Sequence, residues 1–180
     1  MKVKNMRQES NECWKFDLDV GGFTIRRCRW YPGSRQILFP KRCARATGSH
    51  FPVVFAHGAQ VARLRDLVES GQFEAPRNRQ PCILKIRLIT EANDGWPQWM
   101  IFNFTVRGFH IIGCRWQPAT GSIQLPVTYV FNENRIPYIK VKMRVVCAYG
   151  AHINRLRAAL EEELGDGIHK YLRQRPAQAA

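Results

Sequence analysis

Hydrophobic and polar residues alternate along much of this chain, in blocks bounded by glycine and proline. From Cys13 to Val20, Trp14, Phe16, Leu18 and Val20 fall on one face, and Lys15, Asp17 and Asp19 on the other. That is the period-two pattern of a half-buried strand. Gly21-Gly22 predicts a hairpin turn, because glycine accepts positive φ. Phe23–Tyr31 is the next predicted strand, and Gln36–Phe39 follows the Pro32-Gly33-Ser34 turn and closes at Pro40. Residues 2–7 are read as a short first strand, 41–50 as a basic loop, and 52–56 as a fifth strand. The period then changes. Val61, Leu64, Leu67 and Val68 form the stripe of a helix over about 58–70, which Gly71 stops.

The pattern then repeats. Residues 83–89 and 99–106 read as strands, with Met100, Phe102, Phe104 and Val106 on the apolar face, 86 residues after Trp14, Phe16, Leu18 and Val20. Phe23, Ile25, Cys28-Arg29-Trp30, Pro32, Ile37 and Pro40 recur at the same offset as Phe109, Ile111, Cys114-Arg115-Trp116, Pro118, Ile123 and Pro126. A six-residue insertion lengthens the loop around 128–136, and Tyr138–Val146 then alternates clearly as a strand. Ala148–Arg157 matches Ala56–Arg65 with six identities in ten at an offset of 92, and opens a second helix striped by Ile153, Leu156, Leu160 and Leu164. Such internal repetition makes the chain two copies of one unit. The expected fold class is α+β: two tandem repeats, each an antiparallel sheet of about four to five strands followed by one helix, paired as an intramolecular pseudo-dimer. The expected boundaries are 1–71 for the first repeat, 72–81 for a proline-bearing linker, 82–167 for the second repeat and 168–180 for a basic tail.

Charge turns this architecture towards a function. Lys plus Arg number 28 against 14 acidic residues, a net +14, in a chain with an ordinary 45% hydrophobic share. A protein so basic attracts polyanions, nucleic acid first. The polar N-terminus does not read as a secretory signal, and no apolar run approaches the ~20 residues of a membrane-spanning helix. The six cysteines form no Cys-x-x-Cys pair and no zinc spacing, and read as small buried hydrophobes of a reducing cytoplasm. Five scattered histidines, with no nucleophile motif and no phosphate-cradling loop, argue against an enzyme. No cofactor or metal is expected.

The strongest candidate contact is the row Lys140, Lys142 and Arg144 on one face of the strand before the second helix. Three like charges on one strand face repel each other, and an anion opposite relieves this. Tyr138 begins the same row and offers a ring on which a base could stack. Arg29 and Arg115 occupy matching places, either as phosphate contacts or as salt-bridged strand residues; Arg27 lies beside the first. Lys41 and Arg42 form a loop cluster, and Arg63 and Arg155 lie at matching positions on the two helices. Trp30 and Trp116 are read as core, on a face shared with Cys28 and Cys114. Phe23 and Ile25 fall on the arginine side of that alternation, which either a mid-strand bulge or an apolar patch on the open sheet explains.

The element order and several of these residues resemble the stage V sporulation protein G (SpoVG) family. The likeness rests on Phe23, Arg29, Gly33, Pro40 and Leu64-Arg65-Asp66-Leu67-Val68 in the first copy, and on Phe109, Arg115, Pro126 and Leu156 in the second. The resemblance implies a nucleic-acid-binding regulator, a family homodimer made covalent by duplication, and DNA contacts near the helix starts. By position these are Gln60, Ala62 and Arg63, and His152, Asn154 and Arg155. A looser likeness, at the level of strands-then-helix repeats, is to the Whirly and PUR single-strand binders. The functional expectation is DNA or RNA binding in the cytoplasm, with room for homo-oligomers beyond the internal pair. The alternative is a non-enzymatic adaptor holding an acidic protein partner on the open sheet or a strand edge.

Overall fold

A computed structural model describes residues 1–43, 50–73, 84–91, 99–131 and 140–165. Over these the chain is α+β, with antiparallel sheets and two helices. The strands are β1 (Lys2–Ser10), β2 (Cys13–Val20), β3 (Phe23–Tyr31), β4 (Gln36–Leu38), β5 (Lys41–Cys43), β6 (His50–Pro52) and β7 (Val54–Ala56), followed by α1 (Ala59–Glu69). The second half continues with β8 (Leu84–Glu91), β9 (Met100–Val106), β10 (Phe109–Gln117), β11 (Ser122–Gln124), β12 (Val127–Phe131), β13 (Lys140–Arg144) and β14 (Val146–Cys147), then α2 (Ala151–Leu164). The linker lies outside the described residues except for 72 and 73, as does the expected tail.

The two large sheets have five strands each, and each borrows one from the other half of the chain. The first is ordered β1-β2-β3-β14, with β4 also on β3. The second is ordered β11-β10-β9-β8, with β7 also on β10. β14 pairs Val146 with Ile25 and Cys147 with Thr24, while β7 pairs Val54 with Ile111 and Ala56 with Phe109. The expectation that each repeat completes its own sheet is corrected: the strand entering each helix crosses to the other half. Two hydrogen bonds carry the crossings at matching positions, Arg26 N–H to the Val145 carbonyl (2.7 Å) and Ile112 N–H to the Val53 carbonyl (2.9 Å). Val53 and Val145, both buried, interrupt what the sequence reads as single strands over 52–56 and 138–146. Their own N–H groups donate backwards, to the carbonyls of Pro40 and Pro126.

The mid-strand bulge is the correct explanation for Phe23 and Ile25. The β2–β3 register shifts between Phe16 and Leu18, and the β9–β10 register shifts between Ile111 and Cys114. Arg27 at φ 67° and Gly113 at φ 73° hold the extra residues. A left-handed residue is the signature of a bulge that reverses the alternation. Phe23, Ile25, Cys28 and Trp30 therefore all reach the core, as do Phe109, Ile111, Cys114 and Trp116. In each half a polar side chain on the neighbouring strand receives the bulged N–H. Asp17 Oδ1 accepts from Arg27 (3.1 Å), and Asn103 Oδ1 accepts from Gly113 (2.9 Å). Asp17 Oδ2 also accepts from Asn5 Nδ2 at 2.9 Å, so this carboxylate ties β1, β2 and β3 together.

The core is shared by both halves. One cluster includes Phe16, Phe23 and Trp30 with Phe102, Phe104 and Trp116, together with Leu64 of α1 and Leu156 and Leu160 of α2. The Phe23 and Phe104 rings lie 4.9 Å apart, and those of Phe39 and Phe109 meet edge-on at 5.9 Å. Each helix begins against the other half's hairpin. A Cβ added at Gly22 would stand 2.3 Å from the His152 ring, and one at Gly108 would stand 2.7 Å from Gln60. Further along, Glu69 of α1 takes Arg35 and Arg157 of α2 donates to the Gly121 carbonyl, both in turns of the helix's own half.

Candidate functional site

Two short antiparallel ribbons form where the sequence reads a basic loop over 41–50, a lengthened loop around 128–136 and a strand over 138–146. β5 pairs with β6, setting Lys41 opposite Pro52 and Arg42 opposite Phe51. β12 pairs with β13, setting Phe131 opposite Lys140, Tyr129 opposite Lys142 and Val127 opposite Arg144. Prolines 40 and 126 end the preceding strand in each half, so the chain leaves the large sheet there and pairs with itself. β5 and β12 lie against each other. The two ribbons, one from each half, thus meet on one side of the molecule.

Period-two geometry places Lys140, Lys142 and Arg144 on one face of β13, and their cross-strand partners Phe131, Tyr129 and Val127 at the facing register positions of β12. Cations and aromatic residues therefore interleave on one ribbon. Arg144 and Lys41 are exposed, and Phe51 of the first ribbon is 49% exposed. Of the predicted site residues, Lys41, Arg42, Lys140, Lys142 and Arg144 belong to these ribbons. Tyr138 lies outside the described residues. Tyr129 and Phe131 were missed by sequence reading because they sit in the inserted segment, but their spacing opposite a cationic row was a usable signal.

The other predicted residues are placed elsewhere. Arg29 Nε pairs with Glu9 Oε2 at 2.9 Å, the salt-bridged alternative for that position. Lys15 Nζ holds the other Glu9 oxygen at 3.0 Å. The Lys15 hydrogen bond chiefly, with Arg29, overcomes partial burial and keeps the Glu9 carboxyl below its ordinary value. Burial pulls the Arg29 guanidinium pKa down, yet the Glu9 bond and charge reverse this to a net rise. Arg27 is held in the bulge. Arg63 is exposed on α1, whereas Arg155 Nη2 reaches the Gly21 carbonyl at 3.5 Å. Gln60 and His152, at the helix starts, pack on the hairpins of the opposite halves.

Arg115 occupies a different setting. With Arg144 it lines a groove of about 790 Å³ in the second half, together with Gln124, Pro126, Tyr149 and Ile153. Arg115 stands opposite Gln124 in the β10–β11 pairing, and three residues later Val127 stands opposite Arg144. The segment from Gln124 to Val127 therefore spans the distance between the two guanidinium-bearing positions. Tyr149, also in the lining, is 65% exposed.

The chemistry of the remaining groups is quiet. Cys28 and Cys114 are fully buried, and burial pushes both thiols far upward, which keeps them protonated and poor nucleophiles. Among the described residues no three His, Cys, Asp or Glu side chains form a group able to hold a metal ion. No helix among them is long and apolar enough to cross a membrane. No family model matches the chain, and no curated protein or solved structure resembles it significantly.

Proposed function

We propose that this chain binds nucleic acid, on a basic platform where the two ribbons meet, and acts as a cytoplasmic regulatory protein. The contact between β5 and β12 carries the reading, because it brings the strand that bears Lys41 and Arg42 beside the ribbon that bears Lys140, Lys142 and Arg144. Assembling like charges costs stability in the empty protein, and phosphates opposite them recover it. Tyr129 and Phe131 stand at register positions opposite Lys142 and Lys140, and aromatic residues paired with cations are the composition that suits single strands. Short β-ribbons are also a known shape for entering a nucleic-acid groove.

The two halves work as an intramolecular pseudo-dimer in this reading. Their exchanged strands and shared core support it, as does the element-by-element match between them. A SpoVG-like ancestry by duplication is consistent with the same features. Changing Lys140, Lys142 and Arg144 together to alanine is expected to weaken binding of a labelled oligonucleotide about tenfold or more at low salt. The melting temperature of the variant, measured alongside, separates loss of contacts from loss of fold. Undiminished binding by the triple variant would remove the ribbons from the site.

A further inference from the structure

The groove beside the second ribbon differs from the equivalent place in the first half, and the differences favour a ligand. Gly113 removes a side chain where the first half carries Arg27, and Cys147 stands where the first half has Phe55. Phe55 is itself engaged, stacked on His110 at 4.6 Å. In the second half Arg115 and Arg144 both line a groove of about 790 Å³. The apolar part of the lining includes Ile123, Leu125, Pro126, Val146 and Ile153, and Tyr149, also in the lining, is 65% exposed. α2 starts at this groove with no acidic residue in its first turn, so the positive end of the helix adds to the two guanidinium charges.

We propose that this groove receives one unpaired nucleotide of a single strand, its base against Tyr149 and the apolar lining and its phosphates on Arg115 and Arg144. The inference rests on the nucleic-acid reading above and narrows it. The volume lies within the range of pockets that enclose small organic ligands, so a base with its sugar fits. A base in a duplex stays inside the stack and reaches such a pocket only after unstacking. The groove therefore selects single strands, while the ribbons, holding phosphates, supply affinity for either form.

The test compares wild type, Tyr149→Ala and Tyr149→Phe by fluorescence anisotropy. The probes are DNA and RNA oligonucleotides of about 15 nucleotides and the matching DNA duplex. Loss of one stacking ring is expected to weaken single-strand binding about 5- to 150-fold in Tyr149→Ala. Duplex binding should be unchanged, and Tyr149→Phe should bind as wild type does. Tyr149 is exposed, so circular dichroism and melting should be the same for all three proteins. If wild type binds single strand and duplex alike, or Tyr149→Ala binds single strand as wild type does, the groove assignment falls and the ribbon platform stands. If no probe binds at low salt, both fall.

Discussion

Replacing Asp17 tests why the arginines of β3 and β10 lie outside the core. The Asp17 carboxylate accepts the Arg27 N–H at 3.1 Å and the Asn5 amide at 2.9 Å, across three strands. Hydrogen bonds to a charged acceptor contribute about 1.5–3 kcal/mol each when buried, and less where water reaches them. Asp17 is half-buried, so Asp17→Ala should cost about 2–4 kcal/mol in all, including the part-buried N–H left without its partner. Asp17→Asn should cost only about 1 kcal/mol, because an amide oxygen performs the same task at Asn103. Urea unfolding followed by tryptophan fluorescence and by circular dichroism measures both. With a slope near 2 kcal/mol per molar, the alanine midpoint should fall by about 1–2 M. An alanine variant within 0.5 kcal/mol of wild type, or an asparagine variant as damaged as the alanine one, would refute the role given to this side chain.

Three further outcomes follow from the geometry. Gly22→Ala should lower the melting temperature by several degrees, because φ is +88° and the new Cβ would meet the His152 ring at 2.3 Å; Gly33→Ala, with nothing within 4 Å, should leave it unchanged. Arg27→Gly should be neutral or stabilise by up to about 1 kcal/mol in chemical denaturation, since glycine accepts the φ of 67°. Glu9 has a folded-state pKa below its ordinary value of 4.5, so its contribution is present above that pH and is lost as pH falls through the lowered folded value. The stability gap between wild type and Glu9→Gln should therefore stay constant from pH 7 to about 5 and close in acid, as followed by urea midpoints across pH.

Sequence alone made the duplication, both hairpins and both helices legible, because each rests on local signals. Gly21-Gly22 sets a turn, and the stripe of Leu64, Leu67 and Val68 sets the buried face of α1. The strand exchange was not legible. Residues 54–56 and 146–147 have the composition of a strand, but which copy of β3 they join depends on the path of the intervening chain, to which alternation is blind. The bulge was half legible: Phe23 and Ile25 announced a change of face, but only the Asp17 acceptor and the φ of Arg27 distinguish a bulge from an exposed patch. The pairing of the ribbons was not legible: β13 read as a strand, but Lys41–Cys43 and Val127–Phe131 are short and fell in segments read as loops, and each pairs only across intervening chain. Tyr149 attracted no notice because its place in the matched helix-start motif is taken by His57 in the first copy; only the fold shows it beside Arg115 and Arg144.

The central claim is that phosphates sit on the cations of the two ribbons, and the salt dependence of binding tests it most directly. Oligonucleotide affinity should be measured from about 50 to 200 mM salt for wild type and for the Lys140/Lys142/Arg144→Ala protein. If Lys41, Arg42, Lys140, Lys142 and Arg144 each neutralise a phosphate of a single strand, log affinity should fall against log salt with a slope of about −3 to −4. The triple variant should be shallower by about 2. A flat wild-type line, or parallel lines for the two proteins, would contradict the account.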